Sequence, residues 1–197
     1  MMLAFNTDKL IKNTLTNSAV VAVLLINPAY AASEDNMLFR FADEDHFEGW
    51  QINNDTVMGG VSQSQIKQNQ QQGLLFTGNV SLDNNGGFAS TESRFTHQIS
   101  TASTLTIAVK GDGKVYQLRL KTPQLSYGEA YVANFTTQAD TVTEHTFTAA
   151  DFTVSFRGRV INNAPTLNLL EIERIGFLVA QKQQGPFAIE LTSIAFE

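Results

Sequence analysis

Asn53 to Ser64, NNDTVMGGVSQS, sets a carboxylate (Asp55), a methionine (Met58) and the adjacent pair Gly59-Gly60 just after Trp50, the chain's single tryptophan. Such a run suits either a turn with strict backbone needs or the rim of a binding site. Two other stretches carry groups able to recognise a ligand. Phe156-Arg157-Gly158-Arg159, if extended, puts Arg157 and Arg159 on one face, and Arg119 points from the polar side of its own segment. In Tyr127 to Phe135, the residues Tyr127, Glu129, Tyr131 and Phe135 share a face. Rings beside Arg, Glu and Asn are the usual lining of a sugar or peptide groove, where the ring packs on apolar surface and the polar groups fix orientation. Asp55, Met58, Arg119, Glu129, Tyr131, Arg157 and Arg159 are therefore the candidate binding residues; the alternative is that Tyr and Phe fill the core, the arginines pair with surface acids, and Asp55 or Asn54 closes the turn by bonding backbone N–H groups.

Catalytic patterns are missing. The sequence has no G-x-S-x-G nucleophile elbow and no phosphate-cradling glycine loop. Asp55 and Glu129 could pair as acid and base only if folding brought them together, and nothing in their spacing marks one as buried against the other. His46, His97 and His145 stand far apart, without an i, i+4 pair, and there is no cysteine, which disfavours zinc. Each histidine reads as a solvated strand residue. Asp43-Glu44-Asp45 and Asp83-Asn84-Asn85 offer clustered oxygen ligands, so a structural calcium is the open alternative to no metal at all. The expectation is a binding protein that is not an enzyme, with no cofactor and no metal.

The elements that must position these residues follow a period of two. Leu105, Ile107 and Val109 alternate with polar neighbours, as do Tyr116, Leu118 and Leu120, and Leu74, Phe76, Val80 and Leu82. Such alternation marks half-buried strands. Further strands are expected at 37–41, 61–67, 87–95, 127–137, 142–148, 152–159, 174–180 and 187–196. Asn84-Asn85-Gly86-Gly87 and Gly111-Asp112-Gly113 read as hairpin-like turns, and the glutamine-rich 63–72 as a polar hairpin tip. Helix is limited to single turns near 149–152 or 167–173. About ten short strands with frequent turns predict an all-β fold, an antiparallel β-sandwich.

The first 31 residues read as a secretory signal peptide: Lys9 and Lys12, then the apolar SAVVAVLLI of Ser18 to Ile26, then Ala29-Tyr30-Ala31 with cleavage after Ala31. The apolar run is far shorter than a membrane span of about 20 residues, so no stable anchor is expected after cleavage. Residues 32–197 are expected to form one domain, periplasmic or secreted. The chain carries a formal net charge of −6 and loses two lysines against one aspartate with the leader. An acidic chain without a basic cluster in its sequence argues against nucleic acid. The absence of cysteine removes disulfides and thiol chemistry, so the core alone must hold the fold.

Several stretches in order resemble the complex I intermediate-associated protein 30 family: Trp50 through NNDTVMGGVS, then Phe76-x-Gly78-x-Val80-Ser81-Leu82 into NNGGFAS at Asn84 to Ser90, YQLRLKT at Tyr116 to Thr122, Tyr131 with Phe135, FRGR at Phe156 to Arg159, IGF at Ile175 to Phe177 and KQQGPF at Lys182 to Phe187. The resemblance implies a galactose-binding-domain-like jelly roll. It also implies a chaperone-like assembly role, since mitochondrial members assist assembly of respiratory complex I and are not enzymes. The partner would be a protein, such as a membrane-complex subunit; a cell-envelope glycan is the alternative. Members often carry Trp before the FRGR strand and Asp-Lys before the last Gly-Pro-Phe, where this chain has Glu144-His145-Thr146 and Gln181-Lys182. Trp50, Gly59, Gly60, Gly86, Gly87, Phe88, Gly158, Gly185, Pro186 and Phe187 read as structural parts of the motifs. Met58 either plugs the end of the core or lines a rim with Asp55 beside Arg157 or Arg119.

Overall fold

The computed structural model describes residues 37–41, 49–69 and 73–197. The leader with its cleavage site, the acidic run 43–45, His46 and the glutamines 70–72 lie outside the described residues. Among the described residues thirteen strands form: β1 (Met37–Arg40), β2 (Gln51–Ile52), β3 (Gln63–Gln68), β4 (Leu74–Val80), β5 (Ala89–Arg94), β6 (Thr104–Lys110), β7 (Val115–Lys121), β8 (Glu129–Thr136), β9 (Val142–Thr148), β10 (Thr153–Phe156), β11 (Arg159–Val160), β12 (Arg174–Val179) and β13 (Gly185–Phe196). One sheet runs β3-β4-β13-β6-β9, with β1 pairing β13 beyond the end of β4; the other runs β11-β10-β8-β7-β12-β5-β2. Every ladder between these strands is antiparallel, and the two sheets make the expected jelly-roll sandwich.

Alternation builds the core. Tyr116, Leu118 and Leu120 of β7 are fully buried, while Gln117, Arg119 and Lys121 stand on the outer face. Each apolar side chain so buried contributes about 1.5–3 kcal/mol. In β13 the phase must change once: Phe187, Ile189 and Leu191 point inward, and so do Ile194 and Phe196. A register shift between Leu191 and Ser193 makes this possible, one extra residue resetting the pleat. Single 3-10 turns at Ala149–Asp151 and Leu169–Glu171 are the helix content foreseen near those positions.

Three sequence expectations fail on topology. Asn84–Gly87 and Gly111–Gly113 are not hairpins: the first joins β4 to β5 and the second β6 to β7, and each crosses from one sheet to the other. Their residue types still serve local geometry, with positive φ at Asn84, Asn85, Gly87 and Gly113. Residues 152–159 are not one strand. Arg157 and Gly158, at φ 49° and 78°, turn the chain back so that Phe156 pairs with Arg159.

Candidate functional site

Asp55 opens a 3-10 turn, Asp55–Met58, that follows β2. Its side chain points inward and is fully buried. One carboxylate oxygen accepts the Ser62 N–H at 2.9 Å. The other accepts the Gly87 N–H at 2.7 Å, the Phe88 N–H at 3.3 Å and the Ser62 hydroxyl. The Ser62 Oγ in turn accepts the Ser81 N–H at 3.0 Å. Burial on its own raises the Asp55 carboxyl pKa, but the bonds from Ser62, Gly87 and Phe88 together outweigh it and hold the group below its ordinary value. Gly60 and Gly86 make room: a Cβ would fall 2.4 Å from Asp55 Cγ at the first and 2.6 Å from Asp55 Oδ2 at the second. Gly59 ends the turn with φ 91°. The expectation that Asp55 lines a binding rim is overturned: a carboxylate with no exposure and four N–H and O–H donors around it ties loops together.

What the same loop displays is apolar. Met58 is 58% exposed, Val57 73%, Val61 45% and Ile52 38%. Met58 therefore does not plug the core. Nor does it face Arg157, because β2 and β11 are the two opposite edges of the seven-stranded sheet. Six strand spacings separate them, on the order of 29 Å.

The expected aromatic groove also dissolves. Tyr131 is 1% exposed and belongs to the core-facing set of β8. Phe135 lies inward too, against Tyr116. Glu129 shares their alternation at the strand start, where its carboxylate accepts the Ser126 N–H at 3.0 Å. Tyr127 is wholly exposed in the preceding loop. Arg119 projects from the opposite face of the sheet, so it meets none of them. Arg157 and Arg159 are exposed at the far hairpin, with Arg157 lying 5.2 Å from the Phe156 ring centroid. Trp50 stacks on Phe177 at 6.2 Å, Phe187 packs edge-on to Phe76 at 4.9 Å, and Gly185 (φ 102°) with Pro186 begins β13.

A different group of side chains comes together on the outer face of the seven-stranded sheet. Arg174 lies directly opposite Arg94 on β5 and directly opposite Lys121 on β7, so three cations stand side by side. Glu92 holds two of them, with Arg174 Nη1 at 3.0 Å and Lys121 Nζ at 2.8 Å. In the next row Gly176 lies between Glu92 and Arg119 and leaves the floor bare. The Arg119 guanidinium donates to Gln117 Oε1 at 3.4 Å, and among the described residues no carboxylate reaches ion-pair contact with it. Its pKa is lowered, chiefly by burial, with Glu92 opposing that shift. Gln117 and Gln181 both donate to Asn134 Oδ1, at 3.2 and 3.3 Å. Sequence reasoning found only Arg119 here. Arg94, Lys121 and Arg174 sit on three strands far apart in the chain, and only the register assembles them. Among the described residues no three His, Asp or Glu side chains converge as a metal site, and the Asp83 carboxylate is engaged by the Ser81 hydroxyl at 3.0 Å.

A sandwich whose inward carboxylate builds loops and whose outer surfaces carry the accessible chemistry is built as a binding domain. The family model for complex I intermediate-associated protein 30 matches residues 39–191, and the chain belongs to that family. Solved structures share its fold at low identity. The family 11 carbohydrate-binding module of a cellulosomal cellulase of Clostridium thermocellum superposes with a TM-score of 0.57 at 15% identity, covering 82% of this chain and 94% of the module. The family 11 module from Clostridium thermocellum in complex with a β-1,3-1,4-mixed-linked tetrasaccharide gives 0.56 at 17%, covering 82% and 95%. An agarase gives 0.52 at 8%, covering 81% of this chain and 26% of the enzyme.

Proposed function

We propose that this chain is a non-catalytic, protein-binding domain that assists assembly of other proteins in the periplasm or outside the cell, after cleavage of its leader behind Ala31. The carrying observation is the loop of Ile52, Val57, Met58 and Val61, apolar and exposed, on a turn that the Asp55 carboxylate pins to two neighbouring segments. An apolar loop held in one conformation loses little entropy on binding, and methionine adapts to an irregular partner surface. The matching partner is a protein with a complementary apolar patch, for which a membrane-complex subunit is the family-based candidate. Membership of the complex I intermediate-associated protein 30 family supports the assembly reading. The glycan alternative has less behind it: among the described residues no Phe, Tyr or Trp of β5, β7, β8 or β12 lies on the outer face of the seven-stranded sheet, where a sugar would need a ring to stack on.

The test is capture from envelope extract with the exported chain as bait, beside a Val57→Ser/Met58→Ser variant of matched melting temperature. One protein retained by the native chain and lost by the variant supports the reading. Equal recovery by both, or a glycan array lit by neutral sugars while no protein is captured, defeats it.

A further inference from the structure

We propose that the outer face of the seven-stranded sheet holds an oxyanion site, formed by Arg119, Arg94, Arg174 and Lys121 around the bare floor at Gly176, that takes carboxylates of an acidic protein segment. The site stands on its own geometry; the choice of a protein as the source of the carboxylates rests on the protein-binding reading above.

The face is an electrostatic anomaly. The whole chain carries a net charge of −6, yet four cationic side chains gather here against two carboxylates among the described residues, Glu92 and, lining the hollow beside Arg94 and Arg174, Glu173. Like charges directly opposite in a sheet repel. Here they occur twice in succession, Arg94 against Arg174 and Arg174 against Lys121. Glu92 bridges Arg174 and Lys121 and leaves one positive charge over, and among the described residues Arg94 and Arg119 make no ion pair. Arg119 matters most. Its head group is partly desolvated on the sheet, yet it donates only a 3.4 Å bond to a neutral amide among the described residues. A guanidinium offers five N–H donors in a planar fork that matches a carboxylate in two bonds, so one neutral acceptor uses little of its donor capacity.

The layout favours an extended chain over a small anion. The outer cations of the row, Arg94 and Lys121, are two strand spacings apart, roughly 10 Å. In an extended peptide, side chains on one face repeat at about 6.6–6.8 Å, so two alternate acidic residues fit within the roughly 10 Å span of the row. A phosphate ion engages one or two of them. An acidic sugar supplies the charge but finds no aromatic ring among the described residues of β5, β7, β8 or β12 on this face. The amides of Gln117, Asn134 and Gln181 lie beside the row and present further polar groups to a peptide.

The experiment titrates the purified exported chain with a (Glu-Ser)4 peptide, following arginine Nε–H resonances by NMR and affinity by calorimetry. A (Gln-Ser)4 peptide, inorganic phosphate and oligogalacturonate are the comparison probes. The expected result is binding of the glutamate peptide, weakened about tenfold by Arg119→Gln and by Arg94→Gln and weakened by added salt. Arg94 is exposed, so its variant reads the site even if Arg119→Gln perturbs folding. Met58→Ser should leave this binding unchanged, which separates failure of the anion site from failure of the apolar-loop reading. No resonance shift with the peptide at about 1 mM, or affinity indifferent to both arginine variants, overturns the site. Oligogalacturonate or phosphate binding as tightly as the peptide overturns its assignment to a protein segment.

Discussion

The Asp55 carboxylate accepts the backbone N–H of Gly87 at 2.7 Å across 32 positions of sequence. The bond joins two of the connections that cross between the sheets, β2 to β3 and β4 to β5, which run in opposite senses. With the Ser62 bonds it makes one side chain the fastener of a sandwich end, in a chain that has no disulfide to do the same work.

Asp55→Asn should therefore be nearly as damaging as Asp55→Ala. Every partner is a donor, on both oxygens, so an amide nitrogen placed at either position meets an N–H or O–H head-on. Leaving these buried donors unmatched costs about 3 kcal/mol or more. Because the folded carboxyl pKa lies below the unfolded one, the stabilisation is complete above about pH 4 and drains away as pH falls through the folded value. Urea midpoints of the native chain and both variants measure this. An Asp55→Asn midpoint close to native would show that the hub is not energetically important.

The paired glycines separate by mechanism. Gly59→Ala should cost about 1–2 kcal/mol, since its φ of 91° strains any Cβ while the space around it is open. Gly60→Ala should cost more, because its Cβ lands 2.4 Å from Asp55 Cγ and the carboxylate has nowhere to withdraw. In the double variant Asp55→Ala/Gly60→Ala the 2.4 Å contact is gone and only the 2.9 Å approach to the Cβ of residue 55 remains, so the summed penalty should fall short of additivity. Simple addition of the two losses would mean that Gly60 acts through something other than Asp55.

The strands were legible because each has one wet face and one dry one. Tyr116, Leu118 and Leu120 announce themselves by alternation and are all fully buried. Partnership between strands was not legible, and two kinds of gap follow from it. For Asp55 the sequence leaves a turn-closing role and a rim role both open; donors from Ser62, Gly87 and Phe88 decide for the first, and no local pattern reveals the last two. Tyr131 was assigned to a groove because alternation says which residues share a face but not which face is dry. The Arg157-Gly158 turn was within reach, since a glycine inside a strand pattern signals a break. The row Arg94, Arg174 and Lys121 was not, as it exists only in the register of β5, β12 and β7.

Charge reversal on that row gives a stability test independent of any ligand. Arg94→Glu places a carboxylate opposite Arg174 in place of a like charge and should stabilise the chain by about 0.2–1 kcal/mol at low salt. Glu92→Gln removes the counter-charge shared by Arg174 and Lys121 and should destabilise it by a comparable amount, since such partly exposed pairs are individually weak. Both effects should shrink as salt is added. Salt-independent melting temperatures for both variants would show that the cations do not feel one another.

His145 should make stability fall as the solution is acidified from pH 7. It occupies β9, with its ring 4.9 Å from that of Phe135 and its Nε2 3.0 Å from the Thr143 hydroxyl. Burial lowers its pKa below 6.5, because the charged ring loses water there. Between the folded value and 6.5 the unfolded chain takes up a proton that the folded chain refuses, so folding is penalised across that window. Above it both forms are neutral and the penalty is absent; below the folded value both are charged and the penalty levels off. His145→Phe keeps an aromatic ring against Phe135 and removes the titration, so the difference in urea midpoint between variant and native should widen from pH 7.5 to pH 5.5. A His145 ring resonance titrating at or above 6.5, with a midpoint difference that does not change with pH, would place this imidazole in water rather than against the core.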